Sequence, residues 1–126
     1  MDDIKLIKLN RKVDNNKESS IHLHVAKWLT DNGLLFCHIP NGFVNNPIRW
    51  KIACSRGASA GVPDLLIFSK PPKFPECRGV ALELKVSAPV TKNQQEWHTR
   101  LRENGWKVCV AYTYSETIRF LLDLGY

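Results

Sequence analysis

The chain has 126 residues, 44% of them apolar, and 18 Lys and Arg against 12 Asp and Glu give a formal net charge of +6. That length and apolar content predict a single globular domain with a core of its own, and no apolar run approaches the ~20 residues of a membrane span. The basic excess favours an anionic partner, of which nucleic acid is the commonest, over an acidic or membrane-embedded role.

Four scattered cysteines, Cys37, Cys54, Cys77 and Cys109, form no C-x-x-C pair, and the opening Met-Asp-Asp-Ile-Lys lacks a signal-peptide layout. Reduced, mostly buried thiols in a cytoplasmic protein are expected. Residues 1–16, with Lys5, Lys8, Arg11 and Lys12, read as a loosely held basic arm. Glu18–Asp31 reads as a helix, with Ile21, Val25, Trp28 and Leu29 on one stripe and Asn32-Gly33 at its end. Glu18 falls on the inward side of that stripe. Either it closes a capping box with Asn15, or it is an acid turned toward a site. His22 and His24 fall on different faces, which argues against a zinc pair and for solvent-facing side chains.

Leu34–Ile39 is a short apolar strand stopped by Pro40-Asn41-Gly42, where Asn41 suits a turn and a substrate contact equally. Asn46-Pro47 opens a short helix to about Arg56, with Ile48 and Ile52 as a narrow apolar edge. Arg49, Lys51 and Arg56, interleaved with Trp50, suit either a phosphate backbone or an ordinary solvated face. Small residues from Gly57 to Gly61 then lead to Asp64–Phe68. The following loop, Ser69–Gly79, holds three prolines with Lys70, Lys73 and Arg78, and reads as a stiff, basic, exposed hairpin connection.

Val80–Val86 alternates strictly, so Val80, Leu82, Leu84 and Val86 share one face while Ala81, Glu83 and Lys85 share the other. If it pairs antiparallel with Asp64–Phe68, Asp64 lies opposite Glu83, give or take one residue. Two carboxylates that close repel, and a divalent cation between them relieves the repulsion. Hard oxygen donors of this kind suit Mg²⁺ or Mn²⁺. The plainer alternative is a solvated hairpin face with a Glu83–Lys85 pair worth ~0–1 kcal/mol.

Thr91–Asn104 is a second clear helix. Thr91 and Gln94 fit a capping box, yet Gln94 also shares the inward stripe of Trp97 and Leu101. Trp106–Tyr112 alternates as a strand, and Ser115 is expected to cap a final helix with Ile118, Leu121 and Leu122 as its buried side. The order is helix, strand, short helix, strand, strand, helix, strand, helix. It predicts an α/β fold with a mixed four-stranded sheet flanked by helices. Glu18 and Gln94, at two helix starts, are placed to reach the Asp64, Glu83 and Lys85 patch.

These residues together resemble the VRR-NUC domain, a branch of the PD-(D/E)XK nuclease superfamily. The resemblance runs from about Glu18 to Tyr114, through Glu18, Pro40-Asn41-Gly42, Gly61-Val62-Pro63-Asp64, Glu83-Leu84-Lys85, Gln94 and Gly105. It implies a restriction-endonuclease-like αβββαβ core in residues 17–114, with the arm before it and the helix of 115–126 after it. It further implies a Mg²⁺- or Mn²⁺-dependent DNA endonuclease, similar to Holliday-junction resolvases, working as a homodimer on four-way or otherwise branched DNA in the cytoplasm, that of a host if a phage encodes it. On this resemblance Asp64, Glu83 and the Leu84 carbonyl hold the metal, and Glu18 completes or seconds it. Lys85 positions the attacking water or steadies the phosphorane, and Gln94 orients water or Lys85. Asn41, Arg49, Lys51, Arg56, Lys70 and Lys73 are the candidate DNA contacts. Two other readings fit the composition: a non-catalytic DNA-binding module on the same fold, and a scaffold subunit marked by an exposed apolar patch.

Overall fold

Strand β3 (Gly79–Leu84) is buried along its whole length, and the rest of the chain is arranged about it. The structure is a computed structural model that describes residues 13–40 and 46–126, so Asn41 and the first twelve residues of the arm lie outside the described residues. β3 pairs antiparallel with β2 (Leu65–Ile67) and parallel with β4 (Trp106–Ala111), while β1 (Phe36–His38) pairs antiparallel with β2. The sheet order is β1-β2-β3-β4. Helices α1 (Glu18–Asp31), α2 (Pro47–Ser55), α3 (Lys92–Glu103) and α4 (Tyr114–Asp123) complete the expected element order. The mixed four-stranded sheet flanked by helices is therefore present.

Alternation along the strands sorts the two faces. Val80, Leu82 and Leu84 of β3 and Leu65 and Ile67 of β2 pack with Ile21, Val25 and Leu29 of α1 and Ile118 and Leu121 of α4, all fully buried. Each such aliphatic side chain stabilises the fold by about 1.5–3 kcal/mol, so this face holds the molecule together. The other face of β3 carries Ala81 and Glu83, and Lys85 just past the strand end, under α3.

Several local expectations are corrected. The N-cap of α1 is Lys17, with no side-chain capping bond, and Asn15 instead accepts from the Tyr114 N–H at 3.0 Å. The capping box that would have explained Glu18 is absent, because Asn15 is used to tie the chain to α4. Val13 is part of the core, so residues 13–16 are held rather than loose. Helix α4 is capped by Thr113, which accepts from Glu116 N–H at 3.1 Å; Ser115 lies inside the first turn. His22 and His24 are both half-buried rather than solvent-facing: His22 meets His38 edge-on with ring centroids 4.3 Å apart, and His24 meets Tyr114.

The Ser69–Gly79 loop is also less exposed than its composition suggests. Pro71 and Cys77 are buried, Phe74 packs on the core with the Lys107 ammonium 4.2 Å above its ring, and Lys73 N–H donates to Leu124 O. Tyr126 O–H donates to Ser69 O, so the loop is pinned by the C-terminal residues. All four cysteines are free; Cys77 is buried, Cys37 and Cys109 half-buried, and Cys54 exposed because α2 buries none of its residues.

Candidate functional site

The register Leu65↔Leu82 continues by one residue to place Asp64 opposite Glu83. Both lie on the face away from the aliphatic core, where opposed side chains in an antiparallel pair stand together. Glu83 is only 1% exposed. Burial pushes its carboxyl up to about 9, and a side-chain hydrogen bond with Asp64 and the charges of Asp64 and Glu18 add to the rise, against an opposing contribution from Lys85. Like charges forced together in this way favour the neutral form of the more deeply buried carboxyl.

Asp64 is fixed from both sides. Its backbone carbonyl accepts from Ile39 N–H at 2.8 Å and lies 3.0 Å from His38 Nδ1, and its side-chain Oδ2 accepts from Leu84 N–H at 2.8 Å. That last bond also orients Leu84. A strand residue's N–H and C=O face the same neighbour, so the Leu84 carbonyl faces Asp64 too. One further step of register sets Leu84 against Pro63. Proline has no N–H, so the sheet supplies no ladder donor to the Leu84 carbonyl there. The sequence Pro63-Asp64 therefore ends the ladder and leaves a backbone oxygen beside two carboxyls.

Lys85 is 8% exposed, and its N–H donates to Ala111 O at 2.9 Å, which locks it at the end of β3. The described residues hold two contacts of ion-pair length, Lys17–Asp14 and His98–Glu83, and neither involves Lys85. Its charge acts on Glu18, Glu83 and His98 without direct pairing to an acid.

Glu18 opens α1 beside Asp64. It lines an open cleft of about 460 Å³ together with Ser19, His22, Leu23, His38 and Asp64. Partial burial and the Asp64 charge raise its pKa, and Lys85 opposes them. Burial and the neighbouring His38 lower the pKa of His22. The cleft is thus the solvent side of the acid pair, floored by Asp64.

Helix α3 covers the buried side. Its capping box is complete: Gln94 N–H donates to Thr91 Oγ1 at 3.2 Å and Thr91 N–H donates to Gln94 Oε1 at 2.9 Å. Gln94 is therefore engaged at the helix start. The deepest residue of α3 is His98, one turn on from Gln94 and 4% exposed, with Nε2 3.2 Å from Glu83 Oε1. Burial pushes Glu83 up and, with Arg102 and Lys85, His98 down, and both shifts act against an ion pair at this contact. An apolar-stripe reading passes over a polar residue beside Trp97; the available signal was its i, i+4 relation to Gln94.

The approach to Asp64 is wedged against α3. Trp97 Nε1–H donates to Ser59 Oγ at 3.1 Å. Gly61 has φ +89°, and a Cβ there would lie 2.5–2.7 Å from backbone atoms of Asn93 and Gln94. Gly61→Ala must separate loop from helix, since neither backbone yields cheaply. The expected loss is about 1–3 kcal/mol, read as a lowered urea midpoint with unchanged slope.

Of the candidate DNA contacts, Arg49, Lys51 and Arg56 are exposed on and after α2, in the β1–β2 connection, which starts and ends at the Asp64 end of the sheet. Lys70 and Lys73 are exposed on the β2–β3 connection, at the opposite end of the same strands. The structure does not bring these two groups together. Ile48 and Ile52, the narrow apolar edge of α2, are 72% and 46% exposed.

Among the described residues no three His, Cys, Asp or Glu side chains form a metal-binding group. Strand register sets the Asp64 and Glu83 carboxyls side by side, and the Leu84 carbonyl is turned to the same neighbouring strand. That set fits a cation such as Mg²⁺ or Mn²⁺, which takes few protein oxygens and keeps several waters. It does not fit zinc, which wants three or four His, Cys or carboxylate ligands.

No family model matches the chain, and no curated protein matches it. Among solved structures it is similar to one described as a "VRR_NUC domain protein", with a TM-score of 0.63 and 22% sequence identity over 86% of this chain and 90% of that one. The two share a fold. At this identity the likeness speaks for architecture alone.

Proposed function

We propose that this chain is a divalent-metal-dependent endodeoxyribonuclease of the VRR-NUC type. The observation that carries the reading is the contact between Asp64 and Glu83, on one sheet face with the partly occluded Lys85 and no acid paired to that lysine among the described residues. Burying a shared carboxyl pair costs stability that a purely structural face would avoid. The fold shared with a solved VRR_NUC domain protein supports the same conclusion.

Asp64, Glu83 and the Leu84 carbonyl would hold the cation, with Glu18 at the cleft side. A bound divalent cation supplies Lewis acidity toward phosphate and lowers the pKa of water. Lys85 stands as a fixed positive charge beside the place where phosphorane charge develops. The connection that carries Arg49, Lys51 and Arg56 starts and ends at the Asp64 end of the sheet, and these residues suit the flanking phosphates of the backbone. Four-way junctions and other branched DNA are the proposed substrates, and a two-fold dimer would present two such sites at fixed spacing.

The test is cleavage of a four-way junction, a splayed arm and plain duplex with Mg²⁺, with Mn²⁺ and with EDTA. Metal-dependent cutting of at least one substrate is expected. DNA binding without cutting under any metal would replace this reading with the non-catalytic module.

A further inference from the structure

His98 has no part in the reading above, yet it is the one buried side chain of α3. It lies against a side chain that the proposed chemistry needs. Its Nε2 stands 3.2 Å from Glu83 Oε1, and both residues are more than nine-tenths buried. A buried imidazole costs stability unless its polar atoms are satisfied, and no buried side-chain polar atom of the described residues lacks a partner. A leucine or phenylalanine at this position would fill space without that requirement. The presence of histidine points to a use for its N–H.

We propose that His98 is a positioning residue for Glu83, holding one carboxyl oxygen so that the other faces Asp64 and the cation. The inference rests on the metal-site reading and deepens it. The geometry supplies the argument. Glu83 Oε1 lies 3.2 Å from His98 Nε2 on the α3 side, while Asp64 stands opposite Glu83 on the neighbouring strand. An ionised carboxylate only accepts hydrogen bonds, so Nε2 carries the proton whenever Glu83 is a ligand. The rotamer of Glu83 is then set from the helix. The helix in turn is anchored by the Thr91–Gln94 capping box one turn earlier and by the close approach of Gly61 to Asn93 and Gln94. A chain of contacts thus runs from the loop before Asp64, through the start of α3, to Glu83 on the neighbouring strand. Groups that hold a ligating side chain in this way typically change metal affinity by about 10–100-fold when removed.

The test is calorimetric titration of Mn²⁺ into the full chain at one pH, for wild type, His98→Phe and His98→Gln, with urea denaturation in EDTA alongside. His98→Phe keeps the ring and loses the donor; His98→Gln returns an amide N–H near the Nε2 position. The expected result is about 10–100-fold weaker Mn²⁺ binding by the Phe variant and recovery by the Gln variant, independent of the change in urea midpoint. Wild-type affinity in His98→Phe overturns the inference, as does a Gln variant no better than Phe. If His98→Phe does not fold, His98→Gln is compared with His98→Asn, whose amide falls a bond short; equal affinities overturn it. Absence of saturable Mn²⁺ binding by the wild type overturns the metal-site reading and this inference with it.

Discussion

Lys85→Ala is expected to slow metal-dependent DNA cleavage by about 10²–10³-fold, the usual cost of removing one fixed positive or donor group from a developing oxyanion. DNA affinity should change little. Lys85 is 8% exposed at the end of β3, whereas affinity for duplex is set by exposed cations that release counterions. The chain carries 18 Lys and Arg, so the loss of one buried cation is small against that total. The two readouts separate a catalytic from an electrostatic role. Filter binding across a salt series gives the affinity and its slope, and single-turnover cleavage gives the rate. Asp64→Asn should leave binding intact and bring cleavage to the EDTA background. Equal cutting by wild type and Lys85→Ala would assign the activity to a contaminant.

The second large effect concerns stability and has a definite sign. Burial and the neighbouring Asp64 push Glu83 up to about 9 in the fold from an ordinary 4.5. Between those values the folded state keeps a proton that the unfolded chain has released. Stability contributed by neutral Glu83 is therefore complete below pH 4.5 and is lost as pH rises toward 9, with a limiting slope of about 1.4 kcal/mol per pH unit for one proton. Glu83→Gln removes the titration and keeps the shape. Urea melts in EDTA should show the variant overtaking the wild type as pH increases, with the difference widening from pH 5.5 to 8.5. Saturating Mn²⁺ should reverse the trend for wild type alone, because cation binding requires the ionised carboxyl and so strengthens with pH. Parallel curves for wild type and variant in EDTA would mean that Glu83 is ionised in the fold.

Much of this architecture was legible in the residues. Strict alternation over Val80–Val86 marked the central strand and sorted Glu83 and Lys85 to one face, because a period of two leaves no other assignment. Asn46-Pro47 and Thr91–Gln94 marked two helix starts through chemistry that is local to four residues. The opposition of Asp64 and Glu83 followed from pairing two adjacent strands. These features depend on the chain's near neighbours, so one sequence suffices to find them.

What only the tertiary structure decided depends on distant partners. Asn15 looked like a cap for α1, but a backbone N–H 99 residues away claims its side chain. The proline-rich loop looked exposed, but the C-terminal residues close over it. Lys70 and Lys73 looked like companions of Arg49 and Arg56, but strand direction sends them to the far end of the sheet. His98 was passed over, since a polar residue contributes nothing to an apolar stripe; only the packing of α3 onto β3 brings it to Glu83. Local periodicity and capping chemistry are written in the order of residues, whereas the use of each buried polar atom is settled by whichever donor or acceptor the packed chain carries to it.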